Sequence, residues 1–153
     1  MKVQDELMGI PSFDTPDYSE LFSEEKEMIA KLKKVFLMVA GAGVQKYGPQ
    51  LEEHQQLLMA ASDILIEIYL AESAILRTEK NAKRFSEDSQ KYQIAMTQLY
   101  LYHAVDIISS KAKEGIVSFA EGDEQRMMLM GLKRFTKYTN MPNIVALRNK
   151  IAD

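Results

Sequence analysis

The chain has 153 residues, with 22 Asp plus Glu against 19 Lys plus Arg, no Cys, no Trp, four Pro and seven Gly. A chain of this size buries roughly 70% of its unfolded surface and can build one core without staples. The lack of Cys removes disulfide scaffolds, thiol catalysis, iron–sulfur clusters and Cys-based zinc sites, and two His leave little for metals.

Residues 1 to 22 hold Pro11, Pro16 and Gly9, with Asp5, Glu6, Asp14, Asp17 and Glu20 against one Lys, and read as a connector with one or two helical turns at its start. The compact part is expected over residues 23 to 153. Ser23 can cap a first helix, with Glu24 and Glu25 in the turn where the helix dipole favours negative charge. Met28, Leu32, Val35, Phe36 and Val39 then recur at helical spacing until Gly48-Pro49 stops the element. A second helix runs from about Leu51 to Phe85 without Gly or Pro, and Ser86-Glu87-Asp88-Ser89 breaks the chain. A third follows to about Ala120 with Ile94, Leu101, Val105, Ile108 and Ala112 on one stripe. Gly122 suits its C-cap, Asp123 can cap a fourth helix through Tyr138, and Asn140-Met141-Pro142 turns into a short last helix ending at Ile151. No alternating strand pattern or repeat is visible. The fold class predicted is all-α: an antiparallel bundle of four main helices plus a short C-terminal helix.

The longest strongly apolar stretch, Ile64 to Leu76, is broken by Glu67 and Glu72, so it falls short of a membrane span of about 20 apolar residues, and no secretory signal is expected. Helical bundles can house di-iron sites through Glu-x-x-His pairs, but His54 follows Glu52 and Glu53 directly and His103 has Tyr100 three residues before it. His103, Asp106 and Ser110 share a helix face and invite a triad reading. A nucleophile seven residues along a helix lies about 10 Å away in rise, beyond hydrogen-bond reach. Gly41-Ala42-Gly43 with Gly48 lacks both the preceding strand and the Lys-Ser/Thr ending of a phosphate loop. Gly43 falls instead on the apolar stripe, where a second helix can approach closely. Catalytic, cofactor-binding and metal-binding residues are accordingly expected to be none.

Three features stand out. On helix one Ala30, Leu37 and Val44 form a small apolar strip opposite the main stripe, a candidate second packing face. On helix two Glu72 projects into the arc of Leu58, Ala61, Leu65, Ile68 and Ile75, which predicts a buried carboxylate with a partner on a neighbouring helix. From Arg126 to Ala152 there are six basic residues and no acid, whereas residues 1 to 125 carry 13 basic against 21 acidic. Arg126, Met130, Lys133, Arg134 and Lys137 make a candidate interaction face suited to an anionic membrane surface or an acidic protein patch. Nucleic acid is not an expected partner at a net charge of −3 with few aromatics in the basic stretch. Ten methionines fill irregular core gaps or form an adaptable surface.

Longer strings carry a resemblance. His54-Gln55-Gln56-Leu57-Leu58-Met59-Ala60-Ala61-Ser62-Asp63-Ile64-Leu65-Ile66-Glu67-Ile68-Tyr69, continuing through Ala71-Glu72-Ser73, resembles the C-terminal helical extension of acyl-CoA dehydrogenases of the very-long-chain type, particularly bacterial members. So do Leu99 to Asp106, Glu121 to Met128, and Leu7 to Phe13, which is similar to the connector leaving the catalytic region. The resemblance covers essentially the whole chain, and none of its strings is a catalytic motif. It implies a non-catalytic fragment of a longer fatty-acid β-oxidation enzyme that oxidises acyl-CoA to trans-2-enoyl-CoA. FAD and the proton-abstracting glutamate then belong to the upstream catalytic region, with no cofactor in this chain and no such role for Glu72. It further implies packing on that region, a homo-oligomer such as a dimer, and a cytoplasmic location with peripheral contact at the inner membrane surface. The alternative is a stand-alone helical adaptor that holds an acidic protein or anionic lipid through the basic helix face.

Overall fold

The structure, a computed structural model, describes residues 19–153. The expected connector lies outside the described residues except for its last four, 19 to 22. Five α-helices follow: α1 Ser23–Tyr47, α2 Gln55–Phe85, α3 Lys91–Phe119, α4 Gly122–Phe135 and α5 Ile144–Ala152. No strand occurs among the described residues, so the all-α bundle is the observed architecture.

The ends depart from expectation in instructive ways. Ser23 is already helical; the residue before α1 is Phe22, which adopts a left-handed conformation (φ 63°) and places its ring in the core at 2% exposure. Burial of an aromatic ring, worth about 1.5–3 kcal/mol, offsets that backbone cost. Ser23 Oγ donates to the Glu20 carbonyl rather than capping the helix. Between α1 and α2 the segment Gly48–Glu53 winds as a 3₁₀ turn with Pro49 in its first turn, so α2 begins four residues later than Leu51. A second such turn, Asp88–Gln90, joins α2 to α3. Gly122 does not end α3: Ala120 does, and Gly122 opens α4 with φ 57°, a conformation that costs a residue with a Cβ about 1–2 kcal/mol. Helix α4 stops at Phe135, so Lys137 and Tyr138 lie in the loop beyond it. Asn143 caps α5, its side chain accepting from the Ala146 N–H at 3.0 Å.

Helices α1 to α4 form the bundle, with α2 and α3 as its most extensively paired neighbours, α1 against α2 and α4, and α5 laid along α3. Lys26 meets Glu79 and Lys33 meets Glu72, both at 2.6 Å, which sets α1 antiparallel to α2. One continuous core fills the centre, with Leu32, Val35, Ile64, Ile75, Leu101, Ile108, Ile116 and Leu132 almost fully buried. Two glycines allow the close approach at one end: a Cβ built on Gly43 would lie 2.5 Å from Leu57 Cδ2, and one on Gly115 would lie 3.1 Å from Val39 Cγ1 and 3.3 Å from Ala60 Cβ. The close-approach role of Gly43 is the one its stripe position predicts. Inside the far half, Thr78 and Thr97 share a buried hydrogen bond of 2.9 Å across the α2–α3 seam.

Candidate packing and interaction faces

Helix α2 buries Leu57, Ala60, Ile64, Ile68, Ala71, Ile75, Thr78 and Ala82. Small residues at 60, 71 and 82 let α1 and α3 approach its backbone, and the seam is rotated from the arc read in the sequence. Leu65, which that arc placed inside, is 50% exposed. Glu72 moves with it. It is not buried: its side chain keeps 38% of its exposure and pairs with Lys33 on α1. A partner on the neighbouring helix is present, but a pair this exposed stabilises by about 0–1 kcal/mol.

Rotation of the seam leaves the outer half of α2 apolar. Met59, Leu65, Ile66, Tyr69, Leu70 and Leu76 are all exposed. Sequence reasoning missed this face; the signal for it was that α2 carries large apolar residues on both sides of the helix. On α1, Leu37 and Val44 are 55% exposed and Ala30 is exposed with them, opposite the buried Met28, Leu32, Val35 and Val39. The strip lies on the outside of the bundle.

The basic residues sort less simply. Arg126, Met130, Lys133 and Arg134 are exposed on α4, and Met130 keeps 71% of its surface. Arg126 reaches Asp123 on its own helix at 3.4 Å. Lys137, beyond the helix end, is exposed while its carbonyl accepts from Lys31 Nζ. The buried side of α4 is Met128, Gly131, Leu132 and Phe135, with Lys34 standing over the Phe135 ring.

His54 stacks on Tyr47 with ring centroids 3.4 Å apart, and His103, Asp106 and Ser110 are exposed along α3. No group of three His, Asp or Glu that could hold a metal occurs among the described residues. Tyr138 Oη is buried without a hydrogen-bond partner among the described residues. Burial, then the carboxylates of Glu25 and Asp106, push its hydroxyl well above the usual phenol value. The hydroxyl therefore keeps its proton near neutral pH. Two open clefts are lined by described residues, one by Ser19, Glu20, Leu21, Glu79, Ala82, Lys83 and Glu87, the other by Tyr47, Glu53, His54, Gln55, Gln56, Leu57 and Ser118. No helix among the described residues is long and apolar enough to cross a membrane.

These observations describe a helical scaffold with exposed apolar surfaces on α1 and α2 and an exposed basic surface on α4. Residues 31–134 match the family model for the acyl-CoA dehydrogenase C-terminal domain. The chain belongs to that family. It is 34% identical over 137 residues to a probable acyl-CoA dehydrogenase of Bacillus subtilis (strain 168), a match covering 90% of this chain and 23% of that protein. The crystal structure of an acyl-CoA dehydrogenase complexed with FAD from Bacillus anthracis superposes with a TM-score of 0.86 at 34% identity, covering 99% of this chain and 25% of that one. The acyl-CoA dehydrogenase C-terminal domain described here therefore spans about a quarter of the length of these relatives.

Proposed function

We propose that this chain is the C-terminal helical domain of a longer FAD-dependent acyl-CoA dehydrogenase with the very-long-chain arrangement, and that it acts by packing and assembly. The longer enzyme would oxidise acyl-CoA to trans-2-enoyl-CoA in fatty-acid β-oxidation, with flavin and base supplied by the region upstream. The single observation that carries this reading is the mismatch between length and surface. The domain spans 25% of its FAD-bound structural relative, and it turns exposed apolar faces outward from helices that already have a complete core.

Within this reading the α1 face of Ala30, Leu37 and Val44 rests on the catalytic region. It is small and smooth, opposite the core stripe, and continuous with Gly41, so a partner helix can lie close against it. The test compares two polypeptides: the 153-residue chain and the longer protein that contains it. Leu37→Glu with Val44→Glu should leave the thermal melt of the short chain within about 2 °C, because both side chains are exposed. In the longer flavoprotein the same pair should lower the melting temperature by several degrees and speed flavin loss. Equal, small effects in both would remove the assignment.

A second reading has its own observation, the exposed α4 surface on which Arg126, Lys133 and Arg134 surround Met130. Cations around an exposed flexible apolar side chain suit an anionic lipid surface, which is how the domain would sit peripherally at a membrane. Co-sedimentation with vesicles rich in anionic lipid, at low salt, should be lost on reversing Arg126, Lys133 and Lys137 to Glu. Absence of binding at low salt would end this reading without touching the first.

A further inference from the structure

We propose that the outer face of α2 is a two-fold self-association surface, on which a second copy of this chain lies antiparallel, α2 against α2.

From Leu58 to Leu76 the outward arc of α2 carries Leu58, Met59, Ser62, Leu65, Ile66, Tyr69, Leu70, Ser73 and Leu76, with no charged residue over five turns. Six of these large side chains are between 45% and 69% exposed. A contiguous apolar strip of this kind on a helix whose opposite face already fills a core is the mark of an interface. The charged residues stand at its two ends with opposite sign. Glu52 and Glu53 precede α2 at its N-terminal end, and Arg77, Lys80, Lys83 and Arg84 follow the strip at its C-terminal end, all exposed, with Lys83 also 3.4 Å from Glu79 of its own helix.

That arrangement selects the occupant. In a two-fold contact residue i of one copy meets j of the other and j meets i, so the face must be its own complement when reversed. Read about a centre between Glu67 and Ile68, the strip is. Met59 faces Leu76, Ser62 faces Ser73, Leu65 faces Leu70 and Ile66 faces Tyr69, while at each end of the strip Leu58 faces the aliphatic stem of Arg77. Small residues oppose small ones and large oppose large, so the helices keep an even separation. In the same register Lys80, Lys83 and Arg84 of one copy come within a turn of Glu52 and Glu53 of the other, at both ends. The antiparallel arrangement also sets the two helix dipoles in opposition. A lipid surface would meet an acidic end it repels. A parallel pair would set like charges together.

The lack of native Cys makes the register directly testable. Ser62→Cys with Ser73→Cys should give a covalent dimer on mild oxidation. The two positions lie about 16 Å apart along one helix, so they cannot bridge within a chain. Ser62→Cys alone should not cross-link above background, because the two copies of residue 62 would sit about 16 Å apart. Sedimentation of the unmodified chain should show a dimer at micromolar concentration. Lys80→Glu with Arg84→Glu should raise its dissociation constant about tenfold or more at low salt, and adding Glu52→Lys with Glu53→Lys should restore it. All these positions are exposed, and a helical circular dichroism spectrum and unchanged melt confirm that each variant folds. Three results would overturn the proposal: a monomer at about 100 µM, equal cross-linking of the single and double variants, or reversal of charge at one end without effect. A monomeric result would assign the face to another part of a longer polypeptide. The family membership and the α1 assignment are tested by other measurements and stand apart from this outcome.

Discussion

Replacing Gly43 by Ala sets two effects of comparable size against each other, and the structure gives the sign. In the interior of α1 the change should stabilise by about 0.8–1.0 kcal/mol through helix propensity alone. The new Cβ, however, would lie 2.5 Å from Leu57 Cδ2 and 3.4 Å from Leu57 Cγ. Carbon atoms prefer a separation of about 3.5–4.0 Å, so the Leu57 side chain must move by roughly 1 Å. Leu57 is 2% exposed and packs beside Gly115 as well, so it must make that move inside the core. Overpacking of this kind costs about 1–3 kcal/mol, so Gly43→Ala should destabilise by up to about 2 kcal/mol. Leu57→Ala should cost about 2–5 kcal/mol by itself. In that background the obstructing atoms are gone, and the nearest remaining neighbour is Leu51 Cδ1 at 3.6 Å, an ordinary contact. Gly43→Ala should then stabilise by about 1 kcal/mol. The assay is a double-mutant cycle by urea denaturation followed by circular dichroism, in which the same substitution changes sign between backgrounds. If Gly43→Ala stabilises the parental chain as much as it stabilises Leu57→Ala, the close approach is not what holds Gly at that position.

Three further outcomes follow from single contacts. Thr97→Val should cost about 1 kcal/mol because it leaves Thr78 Oγ1 buried without its 2.9 Å partner, whereas Thr78→Val with Thr97→Val should be close to neutral; chemical denaturation of the three variants decides this. Glu79 is held below its ordinary value of 4.5, first by the hydrogen bond from Lys26 and further by Lys83, against the opposing effect of desolvation. Its folded-state affinity for a proton is lower than in the unfolded chain, so its stabilisation is present above about pH 4.5 and is lost as the pH falls through the folded value. Melting temperature between pH 6 and 3 should therefore fall less steeply in Glu79→Gln than in the parental chain. Tyr138→Phe removes a buried hydroxyl with no partner among the described residues and should be neutral or stabilising by up to about 1 kcal/mol, read from the thermal melt.

Helix number, order and approximate bounds were legible because α1, α3 and α4 each show one dominant apolar stripe, even though α1 carries a smaller strip opposite its own. Their buried sets, such as Met28, Leu32, Val35 and Val39 on α1, are those the spacing indicates. The ends were less legible because backbone geometry competes with capping preference. Phe22 takes a left-handed conformation to bury its ring ahead of Ser23, and Gly122 uses its positive φ to open α4 rather than to close α3. The largest departure, on α2, has a physical cause that bears on function. Periodicity locates a core face only by contrast with a polar one, and α2 offers little contrast: Ile64, Ile68 and Ile75 lie inside while Leu65, Ile66, Tyr69 and Leu76 lie outside. With side chains of similar hydrophobicity on both arcs, the decision falls to size. Ala60, Ala71 and Ala82 mark the side that two neighbouring helices approach closely, and bulkier residues are left for the other side. The displaced expectation for Glu72 follows directly, since a rotation that brings Ala71 to the seam carries its neighbour toward solvent and Lys33. Ambiguity in the pattern is thus itself informative: a helix with large apolar residues on both arcs cannot advertise a single inside, and the side that its own bundle leaves open is the surface on which the self-association proposal rests.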